Sequence, residues 1–369
     1  MVTKVNPSVV NDQVFGRRNL IINGDMRVNQ RGTVTTSGSS VYTLDRFIFD
    51  YNGGTMTCVQ SNLSSSDTPY SHGFRNAIKL TNSSVGSDAA ANYVRFQQRI
   101  EAQNLANSGW NYTSDTSFVT LSFWVKSSLA GTYAVTLANI ESSASEDYSF
   151  EFTLTANTWT KVTHAIKGNS EIVFDNDTGE GLRIAWFPYI GTNYTTSSNT
   201  LETWGAYTST DQTKDYAQNW SATASATFEV TGIQLEVGSQ ATPFEHRSFG
   251  EELALCQRYY VELTSDRQVN PIMNCGYYNT TAVYGVIIFP TEMRTEPTIV
   301  QTTGTDYFRV YSTGAADTFT GFNAIHSVTP QRVTVAATSS QGISGTQSAA
   351  GWCETMNTAA RLAFLAEIT

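Results

Sequence analysis

Asn-Leu-Ile-Ile-Asn-Gly-Asp-Met, residues 19–26, and Gly-Ile-Gln-Leu-Glu-Val-Gly-Ser, residues 232–239, frame a long block of short strand patterns. Between them, apolar and polar residues alternate in runs such as 119–125 and 133–137, and Gly, Ser, Asn and Asp separate the runs. Alternation places one face of each strand in a core and the other in solvent. Many such strands predict a β-sandwich. Its two most distinctive segments are its first and last, so we expect both ends of the block to meet at one edge.

The composition limits the partners of the chain. Its 369 residues are enough for two or three domains, and 40% are hydrophobic, so a sizeable core can form. Acidic residues outnumber basic ones by 32 to 22, which gives a net charge of −10, and the longest basic cluster is Arg17-Arg18. A nucleic-acid-binding protein carries a basic stripe, so we expect no nucleic-acid partner. No apolar stretch approaches transmembrane length, so we expect no membrane insertion.

The low charge content points to a location. Charged residues make up only 15% of the chain, and Ser, Thr and Tyr are abundant. This balance is typical of extracellular and virion β-proteins rather than of cytosolic enzymes. The first residues, Met-Val-Thr-Lys-Val-Asn-Pro, contain no apolar signal region. These features favour a virion component released by lysis, with a cytoplasmic protein as the alternative.

The residues needed for catalysis are sparse, so the sequence predicts a protein that is not an enzyme. There is no Gly-x-Ser-x-Gly elbow, no phosphate-binding glycine loop and no Cys-x-x-Cys pair. No histidine has metal-ligand spacing, and free thiols are expected for the cysteines. The residues concerned are His72, His164, His246, His326, Cys58, Cys256, Cys275 and Cys353.

Several segments resemble those of a known family. After the second frame come Ala-Thr-Pro-Phe-Glu-His-Arg at 241–247 and Glu-Glu-Leu-Ala-Leu-Cys-Gln-Arg-Tyr-Tyr at 251–260. Residues 290–297 follow the pattern Pro-x-x-Met-Arg-x-x-Pro, and residues 360–368 read as a final strand. With the two frames, these segments resemble bacteriophage tail-fibre and other virion surface proteins that carry a carbohydrate-binding jelly-roll-like domain.

The resemblance implies a function, which is written here as an expectation. It implies a short fibre or spike that attaches to host cell-surface glycan without catalysis, and by analogy a homotrimer. A capsid-mounted head fibre or decoration protein is the first alternative. A glycan depolymerase is the second. The resemblance concerns fold and context and identifies no chemistry.

The patterns divide the chain into four parts. Residues 1–18 form an N-terminal tail or a peptide that docks on other virion proteins, and residues 19–247 form the jelly-roll-like β-sandwich. A helix over 248–264 then links this sandwich to a smaller C-terminal β-sandwich domain over 265–369, with a helix that rests on its own sandwich as the alternative. Ser248 and Glu251 fit a capping box, and Leu253, Cys256 and Tyr260 share one helical face. The predicted fold class is therefore all-β with a short linking helix.

A long aromatic segment, residues 188–224, is the candidate glycan site. Loops of this length inside a compact domain are usually functional or disordered, and aromatic density argues against disorder. A pyranose ring stacks on exposed aromatic rings, so the predicted contacts are Tyr189, Tyr194, Trp204, Tyr207 and Trp220. The alternative for Trp204 is a lid packed on the sandwich. We assign Trp124, Trp159 and Trp186 to the core, and Tyr307, Phe319 and Phe322 are fallback candidates in the C-terminal domain.

No cofactor is expected except a structural calcium ion. Asp25 and Glu236, one in each frame, are possible ligands, and an Asn-Gly-Asp turn is the favoured alternative for Asp25. Asp175, Asp177 and Glu180 form the densest acidic cluster. Their neighbours Asn176 and Gly179 favour a turn, with calcium binding or catalysis as the alternatives.

Overall fold

The computed structural model describes residues 18–32, 34–36, 40–84, 86–140, 145–264 and 269–368. The chain forms two compact units, Met1–Phe249 and Gly250–Thr369. Both consist mainly of antiparallel sheets, which confirms the predicted all-β, jelly-roll-like β-sandwich class. The predicted docking segment lies outside the described residues, except for Arg18.

The first unit is a sandwich of two sheets. One sheet has the order β1-β4-β5-β13-β7-β10, and the other has the order β12-β9-β8-β11-β6-β3-β2. A helix α1 (Ala102–Ala106) and a 3-10 helix (Thr68–His72) interrupt the strands. The described strands are β1 (Val34–Thr36), β2 (Val41–Tyr42), β3 (Ile48–Asn52), β4 (Thr55–Asn62), β5 (Asn76–Ser84), β6 (Tyr93–Glu101), β7 (Phe118–Ser127), β8 (Gly131–Asn139), β9 (Glu146–Leu154), β10 (Thr160–Lys167), β11 (Glu180–Ile190), β12 (Gly205–Ala206) and β13 (Thr227–Val237).

Aromatic rings from both sheets meet in the core of this sandwich. Phe96 of β6 stacks on Trp186 of β11, with ring centroids 5.0 Å apart and an interplanar angle of 4°. Phe123 of β7, in the other sheet, meets the same indole edge-on at 5.7 Å. All three side chains are buried. Contacts of this kind bury the inward face of every strand that follows the alternating pattern.

The two sequence frames bind each other. The Leu20 N–H donates to the carbonyl oxygen of Leu235 at 2.9 Å, and the Ile233 N–H donates to the carbonyl oxygen of Gly24 at 2.9 Å. The Asn19 side chain links both frames, since its amide donates to the Ile233 carbonyl and its oxygen accepts from the Leu235 N–H. A Cβ atom on Gly24 would lie 2.1 Å from the Ile233 oxygen, so only glycine permits this approach. The two ends of the block therefore meet, as the sequence predicted.

The second unit is a smaller sandwich that begins with a helix. Helix α2 covers Phe249–Gln257, and the two sheets have the orders β14-β23-β17 and β19-β18-β22-β15-β16-β21-β20. The described strands are β14 (Tyr260–Glu262), β15 (Pro271–Asn279), β16 (Ala282–Ile288), β17 (Thr298–Thr302), β18 (Phe308–Ser312), β19 (Ala315–Phe319), β20 (Ala324–Thr329), β21 (Arg332–Thr338), β22 (Ala350–Thr355) and β23 (Arg361–Leu365).

Helix α2 is shorter than the predicted helix over 248–264. It ends at Gln257, and Tyr260 begins strand β14, where it lies opposite Leu365 of β23. The helical spacing of Cys256 and Tyr260 was therefore misleading for Tyr260. Pairing with the last strand gives its backbone groups long-range partners, and such pairing overrides local periodicity.

Two segments that carry the family resemblance contact each other in this unit. The guanidinium of Arg294 donates from Nε to the carbonyl oxygen of Ala366 at 2.7 Å and from Nη2 to that of Glu367 at 2.8 Å. Its backbone N–H donates to the carbonyl oxygen of Arg258, just after helix α2, at 2.7 Å. Met293 beside it is fully buried. Arg294 thus joins the end of the helix to the end of the chain.

Candidate functional site

Three of the five predicted sugar-contact rings are buried. Trp220 is 0% exposed and Trp204 is 7% exposed, and Tyr189 is buried as well. The Trp220 indole donates to the carbonyl oxygen of Thr227 at 3.2 Å, and the Trp204 indole donates to that of Lys167 at 2.7 Å. The prediction of an exposed platform is wrong for these three residues, because their rings pack in the core and their polar groups, the two indole N–H groups and the Tyr189 hydroxyl, donate to backbone carbonyls.

The long aromatic segment instead covers the outer face of the seven-stranded sheet of the first unit. Tyr194 meets Tyr93 edge-on at 5.5 Å, and both pack with the outward side chains of β11. The hydroxyl of Tyr216 accepts a hydrogen bond from the Ala134 N–H at 2.5 Å and donates to the Phe187 carbonyl at 2.9 Å. The segment therefore has a structural role, because its tyrosines pack on β11 and bond to backbone groups of the sheet.

Tyr207 is the exception among the five predicted rings. It is 37% exposed, and its backbone N–H donates to the carbonyl oxygen of Ser145 at 2.7 Å. Tyr194 and Tyr216 of the same segment are partly exposed but pack against β11, so the segment does not present the row of exposed rings that the sequence led us to expect.

The two frame carboxylates do not form a calcium site. Asp25 is paired with Arg27 at 2.5 Å. Glu236 accepts hydrogen bonds from the Thr242 hydroxyl at 2.6 Å and from the Gln234 amide at 2.8 Å. An arginine beside a carboxylate opposes a second cation, and no cluster of metal-ligating side chains occurs among the described residues. The donor set does not fit calcium.

The acidic cluster at 175–180 is a turn before β11. Asn176 has a positive φ of 57°, and the Gly179 N–H donates to the Asp177 carboxylate at 2.7 Å. Glu180 is paired with Arg183 at 2.8 Å and with Arg99 at 3.1 Å. These contacts agree with the favoured interpretation, a turn held by local hydrogen bonds and ion pairs.

An aromatic cleft lies on the outer face of the six-stranded sheet, and we call it the Trp124 groove. Trp124 projects outward from β7, opposite Lys161 of β10 and Thr231 of β13. The indole is partly exposed. The cleft has a volume of about 250 Å³ and is lined by His72, Phe74, Ser122, Trp124, Lys161, Gly232, Thr242, Pro243, Phe244 and His246.

The walls of the groove come from the 3-10 helix and from the segment after β13. The His72 ring, at the end of the 3-10 helix, lies 5.1 Å from the Trp124 ring. His246 donates from Nε2 to the carbonyl oxygen of His72 at 3.1 Å, which ties the two walls together. Phe244 packs edge-on against Phe74 at 4.9 Å. A small apolar cluster outside the main core therefore holds the walls in place.

A glycine shapes the base of the groove. Gly232 has a φ of +64°, and β13 shifts its register against β7 between Thr231 and Gln234. A Cβ atom at Gly232 would lie 2.6 Å from the Phe74 ring. Glycine is therefore required both for the backbone conformation and for the close approach of the ring.

The charges around the groove are unevenly distributed. Its lining includes Lys161 and two histidines and contains no carboxylate. Two carboxylates lie beyond it: Asp67 accepts a hydrogen bond from the Trp159 indole at 2.7 Å, and Glu229 lies 3.2 Å from Lys126. Burial tends to raise the pKa of Asp67, but its hydrogen bonds and the Lys126 charge outweigh this and lower the pKa to about 2.

Sequence reasoning missed this site because it assigned Trp124 to the core. The signal was nevertheless present. In β7 the buried residues Phe123 and Val125 alternate with the partly exposed residues Trp124 and Lys126. Period-2 alternation places Trp124 on the face opposite Phe123. The assignment of Trp186 to the core is correct, and Trp159 is also buried, in the cluster beside the groove.

A second cleft adjoins the buried Trp204. It has a volume of about 580 Å³, and its lining is polar apart from the edge of that indole. The residues that form it are Thr113, Ser114, Asp115, Lys167, Gly168, Asn169, Ser170, Thr203 and Trp204. With one largely covered ring, this cleft offers less stacking surface than the Trp124 groove.

The fallback candidates in the second unit are also displaced by the structure. Phe319 and Phe322 are buried, with ring centroids 5.3 Å apart, and Tyr307 is partly buried. Exposed rings lie instead on the outer face of the seven-stranded sheet of this unit, where Tyr278 is 71% exposed and Trp352 is 42% exposed. The prediction of Phe319 and Phe322 as exposed tips is therefore wrong.

No family model matches the chain, and no curated protein matches it. Solved structures do show likeness over about 60% of the chain. A tailspike protein 4 enzymatically active domain from bacteriophage CBA120 is 11% identical over 60% of this chain and 21% of that one, with a TM-score of 0.34. A putative sugar binding protein from Bacteroides thetaiotaomicron is 12% identical over 60% and 100% of the two chains, with a TM-score of 0.32.

A family 11 carbohydrate-binding module from Clostridium thermocellum is 12% identical over 58% of this chain and 98% of that one, with a TM-score of 0.28. The structural neighbours thus include carbohydrate-binding modules and a phage tailspike domain, and the matched part is 21% of the tailspike chain. At these identities and TM-scores, the likeness carries no argument about the ligand or the partners of this protein.

Proposed function

We propose that the chain is a bacteriophage virion structural protein, a short fibre or spike that attaches the particle to host cell-surface glycan without catalysis. The observation that carries the binding part of the proposal is the Trp124 groove, where a partly exposed indole lies between hydrogen-bonding side chains on an otherwise regular sheet. The virion setting rests on the resemblance of the sequence frames to phage fibre proteins.

The groove has the chemistry that sugar binding requires. The C–H face of a pyranose ring can stack on the Trp124 indole, and the His72 ring next to it adds a second flat surface. The exposed Lys161 supplies a polar group in the same lining, and the Thr242 hydroxyl there donates to Glu236. A few polar groups around an apolar surface fix the orientation of a ligand.

The remaining parts of the proposal concern assembly. Other virion proteins would bind through residues 1–18, and the protein would act as a homotrimer on the virion. Among the described residues, no helix is both long and apolar enough to span a membrane. A capsid-mounted head fibre or decoration protein, using the same fold, is the alternative mounting.

The other alternative is a glycan depolymerase. Asp147 of β9 has its pKa raised to about 7 by burial and by the nearby charges of Asp211 and Glu146. Glycosidases use two carboxyl groups, one of which keeps its proton near neutral pH. If the protein releases reducing ends from host polysaccharide and Asp147→Asn abolishes this activity, the depolymerase replaces the non-catalytic fibre.

The binding proposal is tested by changing Trp124. Trp124→Ala should weaken retention on host cell-surface polysaccharide by about ten- to a hundredfold, which corresponds to about 1–3 kcal/mol for a lost aromatic stacking contact. Trp352→Ala is the matched control, because it removes an exposed indole from the second unit. Equal retention of the wild type and Trp124→Ala, with normal thermal stability, would reject the groove as the glycan site.

A further inference from the structure

We infer that the Trp124 groove prefers a sugar chain that carries carboxylate groups over the matching neutral chain. The inference rests on the proposed function, since it concerns the class of glycan that the same groove binds. It is carried by the placement of charge around Trp124.

The lining of the groove holds a lysine and no acid, although the protein as a whole is acidic. The whole chain has a net charge of −10. The lining nevertheless contains Lys161, His72 and His246 and no aspartate or glutamate. A cleft lined by one sign of charge concentrates ligands of the opposite sign. The local charge therefore favours an anionic ligand, although the protein as a whole repels one.

Three carboxylates near the groove lie outside its lining, beside other cations. Asp67 and Glu229 lie 3.5 and 3.2 Å from the ammonium group of Lys126. Glu236 lies 3.4 Å from the guanidinium of Arg18 and accepts hydrogen bonds from Thr242. Lys126 thus lies beside two of these acids and Arg18 beside the third, and none of the three acids lines the groove.

Lys161 is the lysine of the groove lining. It is exposed, and within the described part of the chain its ammonium group has no ion-pair partner. Because it is uncompensated and lines the groove, its charge is available to a ligand.

The position of Lys161 fits a ligand stacked on the indole. Lys161 lies directly opposite Trp124 across the β7–β10 pair. Cβ atoms of residues opposite each other in an antiparallel pair are about 4.5–5.5 Å apart. A lysine side chain is long enough to reach past a pyranose ring that covers the indole. A carboxylate at the ring edge would then lie within reach of the ammonium group.

The experiment compares matched pairs of polysaccharides. Each pair consists of a neutral chain and the same chain oxidised to the uronate at C6: a galactan, a glucan and a mannan with their polyuronate forms. Binding is measured by isothermal titration and by retention on immobilised polysaccharide, at low and at high NaCl. The proteins are the wild type, Lys161→Met, which keeps the aliphatic stem, Lys161→Glu and Lys79→Met. Lys79 is the control, since it lies opposite Glu229 on the same sheet, away from the groove.

For the wild type, we expect tighter binding to the uronate member of the pair that it recognises, and this advantage should shrink at high salt. Lys161→Met should reduce the advantage by about two- to fivefold, as for a solvent-exposed ion pair. Lys161→Glu should reduce it further, and Lys79→Met should leave it unchanged.

The outcomes separate the inference from the proposed function. If the neutral chains bind as tightly as the uronates, or if Lys161→Met leaves the ratio unchanged, the inference is wrong while the groove remains a sugar site. If the wild type binds no member of any pair, glycan binding itself is contradicted and the inference falls with it.

Discussion

The indole N–H of Trp204 donates to the backbone carbonyl oxygen of Lys167 at 2.7 Å, at the end of strand β10. The ring also packs against Tyr148 of β9, with centroids 5.4 Å apart. A tryptophan held by a backbone acceptor and covered by the sandwich is a structural residue. It anchors the long aromatic segment to the domain, whereas the Trp124 indole of the same unit is partly exposed.

This relationship predicts opposite phenotypes for two tryptophans. Trp204→Ala should lower the free energy of unfolding by about 3–5 kcal/mol, because it removes a buried aromatic side chain. Trp204→Phe should cost less, since a ring remains while the hydrogen bond to Lys167 is lost. Trp124→Ala should change stability little. Denaturant titrations of the three variants test this prediction. If Trp204→Ala is as stable as the wild type but loses glycan retention, Trp204 is a sugar-contact residue, as the sequence predicted.

Because the two frames approach closely at Gly24, we expect a larger residue at this position to destabilise the protein. Gly24→Ala should destabilise the protein by about 1–3 kcal/mol, because the new methyl group would collide with the Ile233 carbonyl oxygen. Gly205→Ala is the control, since a Cβ atom there would meet open space. Thermal midpoints of the two variants are compared with the wild type. Equal midpoints for Gly24→Ala and Gly205→Ala would mean that the two frames can move apart enough to accommodate a methyl group at little cost in stability.

Because the pKa of Asp147 is raised in the folded protein, we expect the free energy of unfolding to depend on pH. Its pKa in the folded protein is raised to about 7 by burial and by the charges of Asp211 and Glu146. Its unfolded pKa is about 3.9. The folded state therefore binds the proton more tightly, so this contribution to stability is fully present below about pH 4 and is lost as the pH rises through about 7.

The variant Asp147→Asn should remove that component. Its thermal midpoint, measured from pH 4 to pH 8, should fall less across this range than that of the wild type. Asp115→Asn, at an exposed position, serves as the control and should follow the wild-type curve. Parallel curves for Asp147→Asn and the wild type would contradict the raised pKa.

We expect that lysine cannot replace Arg294 without a loss of stability, because the guanidinium group donates to two backbone carbonyl oxygens. Arg294→Lys keeps the charge but cannot donate to the Ala366 and Glu367 carbonyls in the same fork geometry. We expect a loss of about 1–3 kcal/mol and faster amide hydrogen exchange in strand β23. Arg332→Lys, at an exposed position, should be neutral. Unchanged exchange in β23 would show that the fork is dispensable.

The expected homotrimer is a prediction about assembly. The mass of the full chain in solution should be three times that of one chain, and a shortened chain that ends at Glu245 should be monomeric if the last hundred or so residues hold the trimer. A monomeric full chain would contradict the trimer. A trimeric shortened chain would move the contact into the first sandwich.

Particular elements explain why part of the site was predictable. The position of Trp124 follows from alternation within β7 alone, since Phe123 and Val125 are buried on the other face. The walls of the groove do not follow from any local pattern. The His246–His72 hydrogen bond joins residues 174 positions apart, and only the folded chain brings them together.

The sequence by itself determined that the chain is all-β and that its two frames belong together, because side-chain alternation is a local property of strands. Only the tertiary structure decided which aromatic rings are exposed. The segment at 188–224 folds over the outer face of the seven-stranded sheet of the first unit, so most aromatic rings of this segment are covered. Trp124 lies on the outer face of the other sheet, where the groove walls leave the indole partly exposed. Exposure depends on what packs above a strand, and that is a long-range property of the fold.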